Sequence, residues 1–237
     1  MRGGCVIVAA VCARGGSKGL PGKALRLLDG KSLVEHAVDC ARACRTIERV
    51  LVSTDNRRIA EAARSRGAEA PFLRPAHLAT DEAPKWEVFR HLVQALETPE
   101  TRPVDVLVDL DVSVPLRTPE DVDGTVEALL ASDLDLVVTA YPAERNPYFN
   151  QVEPSPDGTV RLVKQPAEPV HGRQQAPPVF DVSPSVYAIR TAALWRHRHW
   201  SEARMGIHPV PRERAWDVDD ELDLRFVELL LREGGRT

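Results

Sequence analysis

The feature that most constrains this chain is an apolar run, Cys5–Cys12 (CVIVAAVC), that gives way at once to a loop of glycines and cations, Ala13–Lys23 (ARGGSKGLPGK). A short run with no polar position reads as a strand buried on both faces, the kind found in parallel sheets covered by helices. Open α/β sheets bind their ligands beyond the carboxyl ends of such strands. Within the loop, Gly15, Gly16, Gly19 and Gly22 let backbone N–H groups approach an anion, and Arg14, Lys18 and Lys23 add positive charge. The combination suits a triphosphate held by the loop amides with Arg14, Ser17 and Lys23.

Spacing excludes two familiar phosphate loops. A P-loop has Gly five positions before the Gly of its Gly-Lys pair and Ser or Thr after that pair. Here Ser17 stands at the first position and Ala24 at the second. The dinucleotide fingerprint fails too, because Gly16, Gly19 and Gly22 recur every third residue and the next helical pattern begins near Ser32.

Strand-like and helix-like segments then alternate. Ser32–Cys44 has Leu33, Val34, Ala37, Val38 and Ala41 at helical spacing, with Ser32 as N-cap. Arg49–Thr54 reads as a strand, Ile59–Arg66 as a helix closed by Gly67, Glu82–Leu96 as a helix capped by Asp81, and Val104–Leu110 as a buried strand. Thr118-Pro119-Glu120-Asp121 is a helix start, and Leu134–Ala140 is another strand. The alternation predicts one α/β domain over residues 1–237, with a mostly parallel sheet and helices on both faces. The stretch 141–179 breaks the pattern. Pro156-Asp157-Gly158 between two strand-like segments predicts an inserted hairpin, a dimerisation or lid element. Val179–Ile189 returns to strand character, and Asp219–Leu231 closes the chain as a helix.

Bulk properties narrow the function classes. The 237 residues carry a net charge of −4, and no basic stripe interleaves with aromatics, so no nucleic acid is expected. No apolar run reaches the length of a membrane span, and nothing reads as a signal peptide. Cys5, Cys12, Cys40 and Cys44 form no C-x-x-C pair, and they read as small residues of a cytoplasmic protein. The histidines show no zinc spacing, and no residue has the surroundings of a covalent nucleophile.

The loop ARGGSKGLPGK resembles the N-terminal signature of the acylneuraminate cytidylyltransferases, the CMP-sialic acid or CMP-nonulosonate synthetases. The resemblance recurs in order along the chain: Arg49–Asp55 (RVLVSTD), Phe72–Asp81 (FLRPAHLATD), Ser113–Thr118 (SVPLRT), Arg173-Gln174-Gln175, and Asp217-Val218-Asp219 followed by Glu221-Leu222-Asp223-Leu224. It implies a nucleotide-diphosphosugar-transferase fold (Rossmann-like, GT-A-like), a homodimer and Mg²⁺. It also implies transfer of CMP from CTP to the anomeric hydroxyl of a nonulosonic keto sugar acid, releasing pyrophosphate.

The resemblance also places candidate residues. Ala13, Arg14, Gly15, Gly16, Ser17, Lys23, Thr80 and Asp81 would bind nucleotide, with Lys23 the strongest single candidate. Asp217 and Asp219 lie two apart, so in extended chain they share a side and form a partial magnesium site; Asp219 as N-cap of the last helix is the plainer alternative. Asp111 stands where the family often has Gln, and is open between a further metal ligand, an acceptor contact and a solvated strand end. Arg173 and Gln174 are acceptor candidates, because an Arg fork matches a carboxylate. Tyr187 is a further acceptor candidate or a core aromatic. The family's base-reading Asn is Ala24 here, and the acceptor strand reads Asp181–Tyr187 (DVSPSVY), which leans toward bacterial sialic acid analogues such as legionaminic acid. A small phosphonate or carboxylate acceptor, and an inactive nucleotide-binding regulatory module, are the alternatives.

Overall fold

A computed structural model describes residues 4–97 and 101–234. The chain runs through β1 (Ile7–Cys12), the short hairpin strands β2 (Leu27–Leu28) and β3 (Lys31–Ser32), α1 (Leu33–Ala43), β4 (Arg49–Ser53), α2 (Arg57–Ser65) and α3 (Lys85–Leu96). It continues through β5 (Val106–Leu110), α4 (Pro119–Leu130), β6 (Leu136–Pro142), β7 (Val152–Pro154), β8 (Val160–Leu162), β9 (Phe180–Arg190), α5 (Thr191–Arg196), β10 (Met205–Pro209) and α6 (Glu221–Gly234). Six strands form one sheet in the order β10-β6-β9-β5-β1-β4. Neighbours run parallel except β9, which lies antiparallel between β5 and β6. The mostly parallel α/β architecture expected from the sequence is present.

The period-two pleat divides the core into two layers. Ile7, Ala9 and Val11 pack with side chains of α1, α2 and α4, while Val8 and Ala10 pack with α3 and α5 on the other face. A third cluster joins Leu20 of the glycine-rich loop, Leu28 and Leu33 to Val218, Leu224 and Val227 at the end of the chain. That small cluster is what draws the last segment against the first loop.

Helix starts follow local chemistry. Glu35 Oε2 accepts the Ser32 N–H at 2.8 Å at the head of α1. At α4, Thr118 Oγ1 accepts from Asp121 N at 3.4 Å, Asp121 returns the bond to Thr118 N at 3.0 Å, and Pro119 takes the first position. Buried Asp121 also receives Arg214 through two bonds of 2.9 and 2.8 Å, which ties α4 to the segment before the last helix.

Two expectations are corrected, and one strand was not foreseen. α3 begins at Lys85 rather than Glu82, because Pro84 keeps Ala83 out of the helical region and itself sits extended at the cap; Asp81 therefore caps nothing. Asp220, not Asp219, caps α6, its Oδ1 accepting from Leu222 N at 2.8 Å and Asp223 N at 3.0 Å. β10 had no strand signal, since Gly206 and Pro209 interrupt five residues of an edge strand. The inserted hairpin is present as β7 and β8, a separate two-stranded sheet.

β9 carries Pro184 where its pairing with β6 shifts register between Val138 and Ala140. Thr139 Oγ1 accepts the Val186 N–H there at 3.1 Å, so a side chain replaces a missing ladder partner.

Thr118→Ala removes the reciprocal cap of α4 and is expected to lower unfolding free energy by about 1 kcal/mol. A denaturant titration showing an unchanged midpoint would count against that account of the helix start.

Candidate active site

The glycine-rich loop leaves β1 at its carboxyl end and is fixed at several points. Ala13 N donates to Ser53 O at 3.1 Å, and Gly15 N donates to Asp55 Oδ1 at 2.8 Å. Leu20 is buried in the small cluster under α6. Gly22 has φ 67°, a left-handed conformation that favours glycine, and it turns the chain into a 3₁₀ turn carrying Lys23. A Cβ on Gly19 would lie 2.6 Å from the Asp219 carbonyl oxygen, so the loop and the closing segment touch at backbone distance.

A cleft of about 270 Å³ opens beside this loop, lined by Ala13, Arg14, Ser17 and Lys23 from the loop, Arg74, Thr80 and Asp81 from the segment before α3, and Lys85 and Asp111 at its floor. The structure thus brings together loop candidates and Thr80, Asp81 and Asp111 from three separate stretches of sequence. Gly16 is exposed on the loop and Gly15 is half-buried. Ala24 is 2 % exposed and forms part of the cleft wall with no polar group to offer.

Each loop cation is paired. Arg14 and Lys18 both contact Asp81, and Lys23 Nζ donates to Asp219 Oδ1 at 2.9 Å. Lys18, together with Arg14, holds the Asp81 carboxyl below its ordinary range. Asp81 is therefore an ion-pair partner of the loop.

Asp217 behaves differently. Its Oδ1 is buried without a hydrogen-bond partner. Burial pushes its carboxyl above the ordinary range; Asp219 and Asp111 add to the rise, while Ser113 and Lys23 oppose it. Asp217, Asp219 and Asp111 therefore sense one another's charge. An orphaned buried carboxylate oxygen next to two acids is a fit for a hard cation. Among the described residues, no group of three or more His, Cys, Asp or Glu is arranged to hold a metal alone.

A feature missed in the sequence lies on the cleft floor. Lys85 Nζ is 2.6 Å from Asp109 Oδ2 and donates to Asp111 Oδ2 at 2.9 Å. Asp111 Oδ1 accepts from Ser113 N and Ser113 Oγ at 3.1 and 2.9 Å. Desolvation would raise the Asp111 carboxyl, but Lys85 and Ser113 outweigh it and hold it below the ordinary range. Both oxygens of Asp111 are thus engaged by protein donors. The signal available in sequence was Lys85 at the first helical turn after Pro84, which a helix-start reading treats as solvated.

Tyr187 stands opposite Asp109 in the β5–β9 register, and its ring centroid lies 5.7 Å from Lys85 Nζ. It is half-buried and packs beside the α3 layer. Gln174 is exposed in a short turn (Arg173–Gln175) of the insertion and lines neither this cleft nor the next. The Arg173 side chain lies outside the described residues. A second cleft of about 360 Å³ meets the other side of the acidic segment, lined by Tyr141, Ser183, Pro184, Arg212, Trp216, Asp217 and Asp219. Arg212 pairs with Glu144 and lies 5.7 Å from the Trp216 ring; sequence reading had not singled it out.

A glycine-rich anion loop closing on two aspartates at the carboxyl edge of a mostly parallel sheet defines a nucleotidyltransferase. Residues 8–197 match the family model described as cytidylyltransferase. The chain is 35% identical to post-translational flagellin modification protein B of Campylobacter coli, over 96% of this chain and 95% of that one. It is 33% identical to the CMP-N,N'-diacetyllegionaminic acid synthase of Campylobacter jejuni, over 95% and 94% of the two chains. Its fold superposes with a TM-score of 0.72 on a CMP:2-keto-3-deoxy-manno-octonic acid synthetase complexed with CTP, 18% identical, over 97% of this chain and 99% of that one. The protein belongs to the cytidylyltransferase family.

Gly19→Ala must push the loop off the Asp219 carbonyl. A shift of this kind costs on the order of 100-fold in turnover where reacting groups are positioned. The expected result is a folded protein with at least tenfold lower kcat/KM for CTP; unchanged steady-state kinetics would show that the contact is not needed.

Proposed function

We propose that this enzyme transfers CMP from CTP to the anomeric hydroxyl of a nonulosonic acid of the legionaminic type, with magnesium and as a homodimer. The observation that carries the reading is the junction of the loop with the closing acids: Lys23 on Asp219 at 2.9 Å, with the orphaned Asp217 oxygen beside it. The acceptor class rests on the similarity to the Campylobacter jejuni synthase over almost the whole length of both chains.

In the reaction, the acceptor hydroxyl oxygen attacks the α-phosphorus in line, the bond to the bridging oxygen breaks, the hydroxyl proton is lost, and pyrophosphate departs. Such a transfer needs positioning and charge neutralisation more than covalent chemistry. The loop amides with Arg14, Ser17 and Lys18 would hold the triphosphate. Lys23, 16 % exposed, would face the negative charge that grows on the departing pyrophosphate. Asp217 and Asp219 would hold Mg²⁺. When bound, that ion neutralises triphosphate oxygens as a Lewis acid. Asp111 and Tyr187 would form the acceptor side of the cleft, and Arg173 and Gln174 remain acceptor candidates by resemblance.

The homodimer reading rests on the insertion, whose β7 and β8 expose Val152 and Val160 at 56% and 64%. No helix among the described residues is long and apolar enough to cross a membrane.

The test measures pyrophosphate release with each of the four nucleoside triphosphates against a panel of legionaminic, sialic and pseudaminic acids and small phosphonates. CTP with a nonulosonate is the expected pair; CMP transferred only to a phosphonate would overturn the acceptor class. Asp217→Ala and Asp219→Ala should each abolish release while the circular dichroism spectrum is kept, as should removal of divalent metal by a chelator. Near-normal turnover in both variants would reject the metal pair.

A further inference from the structure

Asp109 is fully buried at the end of β5, and neither of its carboxylate oxygens has a hydrogen-bond partner. A buried carboxylate demands a counter-charge, and Lys85 supplies it at 2.6 Å. If that were its whole purpose, the lysine would be expected to share the burial of Asp109. Instead its side chain is 43 % exposed and lines the nucleotide cleft. An ammonium has three donors. Asp111 accepts one at 2.9 Å, Asp109 holds the same ammonium as an ion-pair partner, and the Tyr187 ring centroid lies 5.7 Å from it. Phe89 flanks it as well, at 5.9 Å from the ring centroid.

We infer that Lys85 is a substrate-contacting residue of the cytidylyl transfer, its remaining N–H donating to an anionic oxygen in the cleft, either of the α-phosphate of CTP or of the acceptor carboxylate. The inference rests on the cytidylyltransferase reading above. Asp109, Asp111 and the two rings fix the long side chain before substrate arrives, so the charge is preorganised and little rotamer freedom remains to be lost on binding. Desolvation opposes the charge, yet the two aspartates hold the Lys85 ammonium well above its ordinary range, so it stays a cation throughout the working pH range. The role of Asp109 in this arrangement is to position Lys85. The role of Lys85 is to meet substrate.

Removing Lys85 alone would strand the Asp109 charge and confuse lost stability with lost chemistry. The deciding variant is therefore the double substitution Lys85→Met with Asp109→Asn, in which the fully buried Asp109 charge is not stranded and Asp111 keeps its two Ser113 donors. Expected are a thermal midpoint restored toward wild type relative to Lys85→Met alone, and turnover lowered by about 100-fold, the size seen when one electrostatic donor is lost from an active site. Calorimetry with CTP and Mg²⁺, in the absence of acceptor, separates the two sources of the oxygen. A roughly tenfold weaker CTP assigns the α-phosphate, and unchanged CTP binding with a roughly tenfold higher KM for legionaminic acid assigns the carboxylate. A stable double variant with near wild-type turnover and CTP binding would overturn the inference and leave Lys85 a counter-ion. Should the double variant not fold, Lys85→Arg decides, since it keeps the balance with Asp109 but moves the donor. Turnover lowered more than about tenfold at an unchanged melting point supports contact, and unchanged turnover overturns it. If wild type itself releases no pyrophosphate with any acid of the panel, the acceptor reading fails, while the CTP arm still tests Lys85.

Discussion

Lys23 and Asp219 are separated by 196 positions in sequence and meet at 2.9 Å. Much of the active site depends on that meeting. The ion pair itself is weak glue, because Asp219 is 76 % exposed and such pairs contribute little stability. What enforces it is apolar: Leu20, Leu28 and Leu33 on one side and Val218, Leu224 and Val227 on the other remove their surfaces from water together. Val218 lies between the two aspartates and is fully buried, so in extended chain it anchors the acids on either side of it. Its N–H donates to Ser113 O at 2.8 Å, which seats the acidic segment beside the end of β5. Hydrophobic burial thus sets the position, and charge exploits it.

The same segment explains why Asp219 can serve the loop. Asp220 takes the capping of α6, and Asp223 accepts the backbone N–H groups of Asp219 and Asp220 at 3.0 and 3.2 Å. With the helix end satisfied by neighbours, the Asp219 carboxylate is released to face Lys23. A run of acids that reads as a generic helix start divides into two tasks, one structural and one directed at the cleft.

How much of this was legible in sequence follows from the range of the interactions. β1, β4 and β5 announced themselves because both faces of each are buried, so apolar residues dominate each run. Thr118 and Pro119 fixed the start of α4 through contacts only three residues apart. The anion loop was legible because glycines and cations crowd one short stretch. Elements stabilised by distant partners were not. β10 is an edge strand interrupted by Gly206, where an added Cβ would lie 2.5 Å from Leu134. Lys85 and Asp109 look in sequence like a helix-surface lysine and a strand-end acid, and only the fold places them in contact. Arg212 meets its carboxylate partner Glu144 across 68 positions of sequence.

The pairing of the cleft cations has a consequence for how nucleotide is recognised. Arg14 and Lys18 share Asp81, Lys23 has Asp219, and Lys85 has Asp109 and Asp111. A triphosphate entering this cleft exchanges one anionic partner for another, so the gain per contact is a difference between two ion pairs rather than the creation of one. Such exchange favours a ligand that can satisfy several cations at once with good geometry, and disfavours a lone phosphate that would break a pair without replacing it. The carboxylates therefore act as a filter on charge and shape as much as a store of negative charge. They also keep long Arg and Lys side chains ordered beforehand, which limits the entropy lost when the chain of phosphates binds. Under the proposed reading this arrangement of paired charges favours a triphosphate, while Ala24 offers the cleft only an apolar wall.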